Sequence, residues 1–457
     1  MPARSGVRGL RRVGLWPAAG PLRPGRILLA TFGLAVTGGA GLLSLPFAAA
    51  DGTRTAPVDA LFTATSAVTL TGLVTVDTAS HWSTFGQIVI MLLVQAGGLA
   101  IMTLATMVAL LVSGRPGSDL LARKQTRTPR SRDVRRVLRA VLLFSIIGEL
   151  IVAVVLTARF ALRYELDWGR AAYHGVFHAV TAFNNAGFSL NPDSLVRYAV
   201  DPWITATVVI AVIVGGLGFP VVCELVRSWR RPREWSVLTR ITVTVTAALL
   251  VLGTVVLTLT EFTNPQTLGA LNGSSRLGAG FFMAAQSRTG GFSTVDVAAM
   301  TPESHLVMDV LMFIGGGSAG TAGGVKVTTV GLLAYVIWAE ARGERWVNVG
   351  ARHVPESNQR QAVAVALLGL GLVTTTTFAI MLMARETLDR ALFEVVSAFG
   401  TVGLSVGITP DLPGAGHVLL AALMFLGRIG PLTVASALAL TDRGRRYEYP
   451  EERTIVG

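Results

Sequence analysis

The sequence predicts an all-α membrane protein with eight transmembrane spans, because the chain is strongly apolar and repeats one helical unit four times. Of its 457 residues, 51% are hydrophobic and only 14% are charged, which is more apolar surface than one soluble core of ordinary shape can bury. Lipid offers the backbone no hydrogen-bond partners, so each span must be helical and about 20 residues long. Apolar stretches of this length begin near Arg26, Phe85, Arg136, Pro202, Leu238, His305, Gln361 and Gly416.

The positive charge of the chain is confined to particular connections between these spans. A formal net charge of +12 could indicate nucleic-acid binding, but the basic residues form no single soluble domain. They precede the first span, fill the second connection and follow the fourth, sixth and eighth spans. By the positive-inside rule, these segments and both termini are cytoplasmic. We therefore expect a multi-pass protein of the plasma (inner) membrane, with lipid and not nucleic acid as a partner.

The sequence argues against a cleaved secretory signal and against a disulfide or cysteine metal site. The basic amino terminus followed by an apolar run resembles a secretory signal, but the run from Ile27 to Ala50 is longer than a signal's apolar region. The single cysteine, Cys223, excludes an internal disulfide and a cysteine metal cluster.

Four copies of one unit lie between successive pairs of spans, and each has a short helix-like run, a glycine followed by Leu or Phe, and then an acidic residue. The glycines are 115, 104 and 112 residues apart, which indicates one helix–loop–helix unit used four times. The copies run from Phe62 to Asp77, Phe177 to Asp193, Phe282 to Asp296 and Phe393 to Asp411, and their glycines are Gly72, Gly187, Gly291 and Gly403.

Glycine at this place in each copy suits a pore loop. Irregular backbone is tolerated at membrane depth only inside protein or beside a water-filled cavity, and glycine lets the chain turn there and approach an ion closely. Rings of backbone carbonyls can then replace the hydration shell of a cation. One such glycine would more simply mark a tight turn or close helix packing. Four in register favour a single cation pathway.

An acidic residue follows each of these glycines at five to eight positions. Carboxylates around an outer mouth would concentrate cations and repel anions, although each one alone could be an ordinary loop residue or helix cap. The four residues are Asp77, Asp193, Asp296 and Asp411.

The segments SAVTLTGL, NNAGF, SRTGGF and GTVGLS resemble the four filter segments of the Trk/Ktr/HKT superfamily of potassium transporters. With eight spans, the chain is more similar to KtrB-type membrane subunits than to the longer TrkH type. The resemblance covers nearly the whole chain. It implies four non-identical outer-helix, pore-loop and inner-helix repeats around a central pore, in one chain.

Carried over by position, the resemblance implies an ion-binding selectivity filter in the four segments. Some plant relatives with serine in the first filter favour sodium, whereas this chain has Gly72, so potassium is the implied ion, with sodium dependence as in Ktr relatives left as an option. The third segment has Gly290 where the family often has alanine. The filter residues are Thr69, Leu70, Thr71, Gly72, Asn184, Asn185, Ala186, Gly187, Arg288, Thr289, Gly290, Gly291, Gly400, Thr401, Val402 and Gly403.

The sixth span contains a glycine-rich segment that must break its helix, since each glycine costs a helix about 1 kcal/mol relative to alanine. Such a break could bind a substrate, as unwound helices of transporters do. The resemblance instead implies an intramembrane gate loop that is followed by a lysine. The gate residues are Gly315, Gly316, Gly317, Ser318, Ala319, Gly320, Thr321, Ala322, Gly323, Gly324 and Lys326.

Three further charged or titratable features lie within apolar segments. Arg428 is near the middle of the last span, where insertion costs at least about 2.5 kcal/mol, and the resemblance makes it a barrier in the pore below the filter. Pairing with a carboxylate is the alternative. Glu149 is also deep, and pairing or capping is its expected role. His174 and His178 share a helix face, but two histidines alone rarely make a metal site.

These features predict potassium uptake through a four-repeat filter, gated in the third repeat, with no catalytic residues and no organic cofactor in this chain. The alternatives are a secondary transporter with an occluded substrate site and, more remotely, an intramembrane enzyme. The resemblance implies a homodimer that binds a cytosolic ring of KtrA/TrkA-like nucleotide-binding regulatory subunits. The predicted segments are a basic N-terminus (1–25), repeat 1 (26–113), a basic loop (114–134), repeat 2 (135–231), repeat 3 (232–341), a cytoplasmic loop (342–359), repeat 4 (360–441) and a cytoplasmic tail (442–457).

Overall fold

A computed structural model describes residues 24–112, 131–318, 320–350 and 352–440, and these residues are mostly helical. The predicted terminal segments and the loop 114–134 lie largely outside the described residues, as does Ala319 of the predicted gate. The helices are α1 (Pro24–Leu43), α2 (Pro57–Thr69), α3 (Thr84–Val112), α4 (Ser131–Arg163), α5 (Trp168–Phe183), α6 (Pro202–Leu217), α7 (Phe219–Ser228), α8 (Val237–Thr260), α9 (Gly273–Thr289), α10 (Pro302–Phe313), α11 (Val327–Ala341), α12 (Glu356–Ala384), α13 (Leu388–Gly400) and α14 (Gly414–Leu440).

A helix begins near each of the eight predicted span starts, namely α1, α3, α4, α6, α8, α10, α12 and α14. Four helices of the described residues are long and apolar enough to cross a membrane alone, and the bent pair α6–α7 makes a fifth candidate. The four are within Thr84–Met107, Arg135–Arg163, Val237–Thr260 and Glu356–Ala384. The protein therefore has several membrane-spanning helices, and the number eight stays a prediction.

The fourth predicted span is bent, which the sequence interpretation did not anticipate. Helices α6 and α7 meet at 102° across Gly218. Gly218 has φ of +88°, a conformation that suits glycine, and Pro220 at the start of α7 lacks the N–H that a continuous helix would use. Helix α7 therefore leaves the direction of α6, with Val226 exposed on its surface.

The sixth predicted span is broken as expected. Helix α10 ends at Phe313 and α11 begins at Val327, and the glycine-rich segment lies between them. Two bonds between the flanking residues close the segment at its base: Gly315 N–H donates to Val325 at 2.9 Å, and Val325 N–H donates to Phe313 at 3.2 Å. The segment is thus a loop whose ends are held together.

Four short helices, α2, α5, α9 and α13, carry the residues before the four glycines into the interior of the bundle. The last turns of all four are buried. Helix α5 packs on α4 and α6, and α13 packs on α10, α12 and α14. Two of the short helices end on a left-handed residue, Leu70 (φ +58°) and Thr401 (φ +49°), which turns the chain out of the helix. An antiparallel pair of two-residue strands, β1 (Asn348–Val349) and β2 (Arg352–His353), lies beyond α11.

Candidate functional site

The four glycines predicted from the repeated unit form a closed ring, which we call the central ring. Each has a positive φ: +92° at Gly72, +68° at Gly187, +76° at Gly291 and +95° at Gly403. A Cβ atom on Gly72 would lie 3.2 Å from the Cα of Gly187, and one on Gly187 would lie 2.9 Å from the Cα of Gly291. A Cβ on Gly403 would lie 3.1 Å from the Cα of Gly72, which closes the circle. Only glycine fits these positions without strain.

Each ring glycine faces the backbone carbonyl of the residue that precedes the next glycine. The carbonyl oxygens lie 2.3, 3.1, 2.3 and 2.1 Å from the Cβ positions of Gly72, Gly187, Gly291 and Gly403. Four main-chain acceptors therefore surround one axis, and they can replace water around a cation. These oxygens belong to Ala186, Gly290, Val402 and Thr71.

The short helices hold the ring from behind with hydrogen bonds to its backbone. Gly72 N–H donates to Ser66 Oγ at 3.0 Å, and Gly403 N–H donates to Ser397 Oγ at 3.1 Å. These serines stand six residues before their glycines, so the first and fourth copies share one support. The third copy differs, because Gln286 Oε1 accepts from Phe292 N–H at 3.3 Å instead.

The side chains of the second segment point away from the axis. Asn184 Nδ2 lies 3.0 Å from Gln95 Oε1 and 3.0 Å from Glu149 Oε1, so the buried Glu149 is a partner of this segment. Asn185 Nδ2 donates to Thr289 Oγ1 at 2.5 Å and so ties the second segment to the third. Sequence reasoning set Glu149 aside, because its partner on a distant helix was not readable from spacing.

Arg288 belongs to the third predicted filter segment, but its guanidinium lies behind the ring. It is 6% exposed, and its Nη2 donates to the carbonyl of Gly315 at 3.1 Å and to Thr246 Oγ1 at 3.3 Å. The side chain therefore binds the start of the glycine-rich loop. Only the backbone of this segment faces the axis.

A cavity of about 480 Å³ opens on the face of the ring formed by the residues that follow the glycines. Three of the four predicted carboxylates, Asp77, Asp193 and Asp296, line this cavity together with all four ring glycines. Asp411 lies outside its lining, at the end of the 3₁₀ helix Thr409–Asp411, and is exposed. The structure therefore brings together three carboxylates and leaves the fourth apart.

The carboxylates of this cavity also have local partners. Asp77 accepts from Ser80 Oγ at 2.6 Å, and Asp193 pairs with Arg197 at 2.8 Å. The hydrogen bond to Asp193 raises the pKa of Arg197 above its usual value. Asp296 accepts from the N–H of Ala298 at 3.0 Å as the cap of a short helix. Asp296 therefore has the capping role weighed for these residues, and Asp77 and Asp193 have other local partners.

The glycine-rich loop lies against the opposite face of the ring, formed by residues that precede the glycines. Gly317 N–H donates to Gly216 at 2.9 Å, and Thr321 N–H donates to Gly215 at 3.1 Å. Thr321 Oγ1 donates to Asn185 Oδ1 at 3.1 Å. A Cβ on Gly323 would lie 2.0 Å from Thr401 Oγ1. The loop therefore fills the space beneath the second and fourth segments.

Two further buried cations, besides Arg288, hold this loop. Arg428, 2% exposed, donates from Nη1 to Thr401 Oγ1 at 3.1 Å and from Nη2 to the carbonyl of Thr321. Lys326 donates from Nζ to the carbonyl of Ala322, at the end of the loop where the sequence placed it. The hydrogen bonds described for the guanidinium of Arg428 go to one loop carbonyl and one threonine hydroxyl, and none goes to a carboxylate. The pairing alternative is therefore not what the described residues show.

His174 and His178 do not form a metal centre in the described residues, where no group of three potential metal ligands occurs. His178 is buried, and its Nδ1 bonds to the carbonyl of His174 at 2.8 Å while Nε2 bonds to Ser189 Oγ at 3.1 Å. Both ring nitrogens thus have partners. Sequence reasoning missed Glu394, a second titratable residue on a short helix, which is fully buried in α13.

Comparison with known proteins agrees with this architecture. A family model described as a cation transport protein, TrkH, matches residues 29–445. The chain is 36% identical over 435 residues to the Ktr system potassium uptake protein B of Vibrio alginolyticus, covering 94% of each chain. It is 34% identical over 447 residues to the potassium/sodium uptake protein NtpJ of Enterococcus hirae, covering 95% of this chain and 98% of the relative.

Among solved structures, the potassium transporter TrkH from Vibrio parahaemolyticus has the same fold. The TM-score is 0.70 at 18% sequence identity, and the match covers 93% of this chain and 86% of that chain. The resemblance drawn from the four glycine segments is thereby confirmed, and the relatives are transporters and not enzymes. This chain belongs to the TrkH family of cation transport proteins.

Proposed function

We propose that this protein takes up potassium ions through one central pathway whose selectivity filter is the central ring. The observation that carries the proposal is the circle of four carbonyls, from Thr71, Ala186, Gly290 and Val402, each facing a glycine with positive φ. Backbone oxygens at fixed spacing favour a weakly hydrated cation, which gives up its water for them. The cavity with three carboxylates supplies cations to this ring.

The names of the relatives support potassium as the ion. One is named a potassium uptake protein and another a potassium/sodium uptake protein. Sodium is accordingly proposed as a second ion that affects uptake. The ring itself contains glycine at all four positions, and no side-chain ligand distinguishes one copy from another.

Four non-identical repeats in eight spans are part of the same proposal. Each repeat pairs an outer helix, a short helix with its filter segment, and an inner helix, within 26–113, 135–231, 232–341 and 360–441. The short helices α2, α5, α9 and α13 support this division, because each ends just before one ring glycine. In this arrangement Asp77, Asp193 and Asp296 face outward, and the termini are cytoplasmic.

The loop from Gly315 to Gly324 is proposed as the gate, in its closed position. Its bonds to Gly215 and Gly216 and its contact with Arg428 obstruct the pathway below the ring. The competing function, a secondary transporter with an occluded substrate at the broken helix, needs room beside the loop. The cavity lined by Thr246, Arg288 and Gly316 measures about 20 Å³, which suits a water molecule and not an organic substrate.

The proposed assembly is a homodimer in the plasma membrane with a cytosolic ring of nucleotide-binding regulatory subunits. The name of one relative, Ktr system potassium uptake protein B, supports a transport system with more than one protein component. The cytoplasmic side of this chain offers exposed arginine–tryptophan pairs to such a partner, for example Arg342 over Trp338 at 4.7 Å.

Flux into liposomes tests the proposal. The purified protein is reconstituted, and uptake of rubidium as a potassium tracer is measured against rising external potassium, sodium or lithium. We expect potassium to compete far more effectively than sodium or lithium. Equal competition by the three ions would overturn the potassium filter, and flux of an organic solute in place of cations would favour the secondary transporter.

A further inference from the structure

Glu394 is a buried carboxylate that holds the segment following the fourth ring glycine. It lies on α13 and is 0% exposed. Ser405 Oγ donates to its Oε1 at 2.6 Å, Val406 N–H donates to its Oε2 at 3.3 Å, and Thr409 Oγ1 also donates to Oε1. Three donors from one irregular loop therefore converge on one side chain.

The second copy of the unit contains the same arrangement with a different residue. Glu394 stands nine residues before Gly403, and His178 stands nine residues before Gly187. Their partners also correspond, because Ser405 and Ser189 each follow the ring glycine by two residues. His178 Nε2 bonds to Ser189 Oγ at 3.1 Å.

The serine in both copies bonds onward to the same backbone position. Asn191 N–H donates to Ser189 Oγ at 3.0 Å, and Gly407 N–H donates to Ser405 Oγ at 2.9 Å. Both donors stand four residues after their glycines. The side chain from the short helix, the serine and this N–H thus form one chain of bonds in each of the second and fourth copies, which we call the brace.

The first and third copies lack the brace. The first has Thr63 and Val74 at the corresponding positions, and Thr63 Oγ1 is buried without a hydrogen-bond partner among the described residues. The third has Phe282 and Ser293. Ser293 instead bonds to the second copy, since its N–H donates to Ser194 Oγ at 3.1 Å and its carbonyl accepts from Leu195 N–H at 3.0 Å.

We propose that Glu394 and His178 are positioning residues that fix the ion-facing backbone of the second and fourth segments, which lie opposite each other in the ring. The inference rests on the proposed filter and adds residues that determine its selectivity. Neither side chain reaches the axis. Each acts through a serine two residues beyond the glycine, so that loss of the brace lets the adjoining carbonyls move and adapt to smaller cations.

The test compares potassium and sodium competition in liposomes for Ser405→Ala, Glu394→Leu and the double variant. Ser405→Ala should lower the preference for potassium by about fivefold, the effect of one hydrogen bond of ordinary strength. Glu394→Leu removes the acceptor of three donors and should lower the preference at least as much. The double variant should be no worse than Glu394→Leu, because both remove the same chain of bonds. Glu394→Gln retains an acceptor oxygen and should restore most of the preference.

Thr63→Val is the matched control, since it alters the corresponding position of a copy without the brace. It should keep the selectivity of the unaltered protein. Ser189→Ala should reproduce Ser405→Ala in the second copy. Thermal unfolding shows whether each variant is folded. The brace is refuted if folded Ser405→Ala and Ser189→Ala proteins remain as selective as Thr63→Val. If the unaltered protein prefers another cation, the proposed function fails. The brace is then still tested by comparing the preference of the same variants for that cation.

Discussion

Arg428 of α14 is bound to the carbonyl of Thr321 in the glycine-rich loop, so a buried cation fastens the proposed gate. The guanidinium also donates to Thr401 Oγ1 of the fourth filter segment, while its Nε is buried without a hydrogen-bond partner among the described groups. A positive charge at this depth opposes the passage of cations, because little water screens it.

Replacement of Arg428 by glutamine should raise cation flux about tenfold. Glutamine can still donate to Thr321 or Thr401, but it removes the positive charge from the pathway. Rubidium uptake into liposomes at fixed protein density measures the change. Arg428→Lys is the control, because it keeps the charge and should keep the low flux. Equal flux in the two variants would show that the charge forms no barrier.

Gly72→Ser should reduce the preference for potassium over sodium. A Cβ at this position would lie 2.3 Å from the carbonyl oxygen of Ala186, so this ring oxygen must move. The positive φ of +92° adds strain of about 1–2 kcal/mol for any residue but glycine. Selectivity is read from the competition of the two ions for rubidium uptake.

Gly343→Ser is the control for backbone strain alone. Gly343 also has a positive φ, +66°, but there is open space around its Cβ position. This control should lose only the free energy of unfolding that backbone strain accounts for, and it should keep its selectivity. An unchanged ion preference in Gly72→Ser would contradict the filter.

Gly320→Ala should loosen the gate and increase flux severalfold. The added Cβ would lie 2.2 Å from the carbonyl oxygen of Gly216, which is rigid backbone at the end of α6. Gly371→Ala on α12, with nothing within 4 Å, is the matched control and should leave flux unchanged. Deletion of Gly315–Gly324 should increase flux further. Loss of all transport by a folded deletion variant would instead favour a substrate site in this segment.

Glu149→Leu should destabilise the protein by about 1 kcal/mol, since Asn184 Nδ2 loses one buried acceptor at 3.0 Å and keeps two, Gln95 Oε1 and the carbonyl of Val180. Glu149→Gln keeps an acceptor oxygen and should cost less. Chemical unfolding in detergent, followed by the fluorescence of the tryptophans, gives the difference in free energy of unfolding. Identical stability of the two variants would show that the contact with Asn184 contributes nothing.

The ion pair of Arg159 and Asp201 should make stability depend on acid pH. Burial works to raise the pKa of Asp201, but hydrogen bonds from Arg159 at 2.8 Å, from Trp203 N–H and from Tyr164 outweigh it and hold the pKa below its usual value. The folded protein therefore binds this proton less readily than the unfolded chain. The stabilisation is complete above the unfolded pKa, near pH 4, and is lost as the pH falls through the lower folded value.

Asp201→Asn should remove this part of the acid dependence. Melting temperatures between pH 3 and pH 7 should converge for the two proteins at the acid end and diverge towards neutrality. Parallel curves across the range would exclude a contribution from the ion pair.

Features set by local sequence were predictable. The eight helix starts follow from runs of apolar residues, and the four glycines follow from their place in a repeated pattern. The break between Phe313 and Val327 follows from six glycines in ten residues, which no helix tolerates.

Features set by contacts between distant residues were not predictable. Arg288 lies in a filter-like segment, yet its side chain binds Gly315, 27 positions away. Asp411 follows its glycine by eight positions, against five or six for the others, and this longer connection carries it away from the cavity. The bend at Gly218 depends on its positive φ and on Pro220, and glycine and proline near the end of an apolar run predict a break without giving its angle of 102°.

The attachments of the glycine-rich loop have a mechanical consequence. The loop joins α10 to α11, but its middle is fastened to the end of α6 through Gly215 and Gly216 and to α14 through Arg428. A shift of either helix relative to the other must therefore break or strain the bonds that hold the loop. Any partner or lipid that changes the separation of α6 and α14 is thermodynamically coupled to opening, without touching the loop itself.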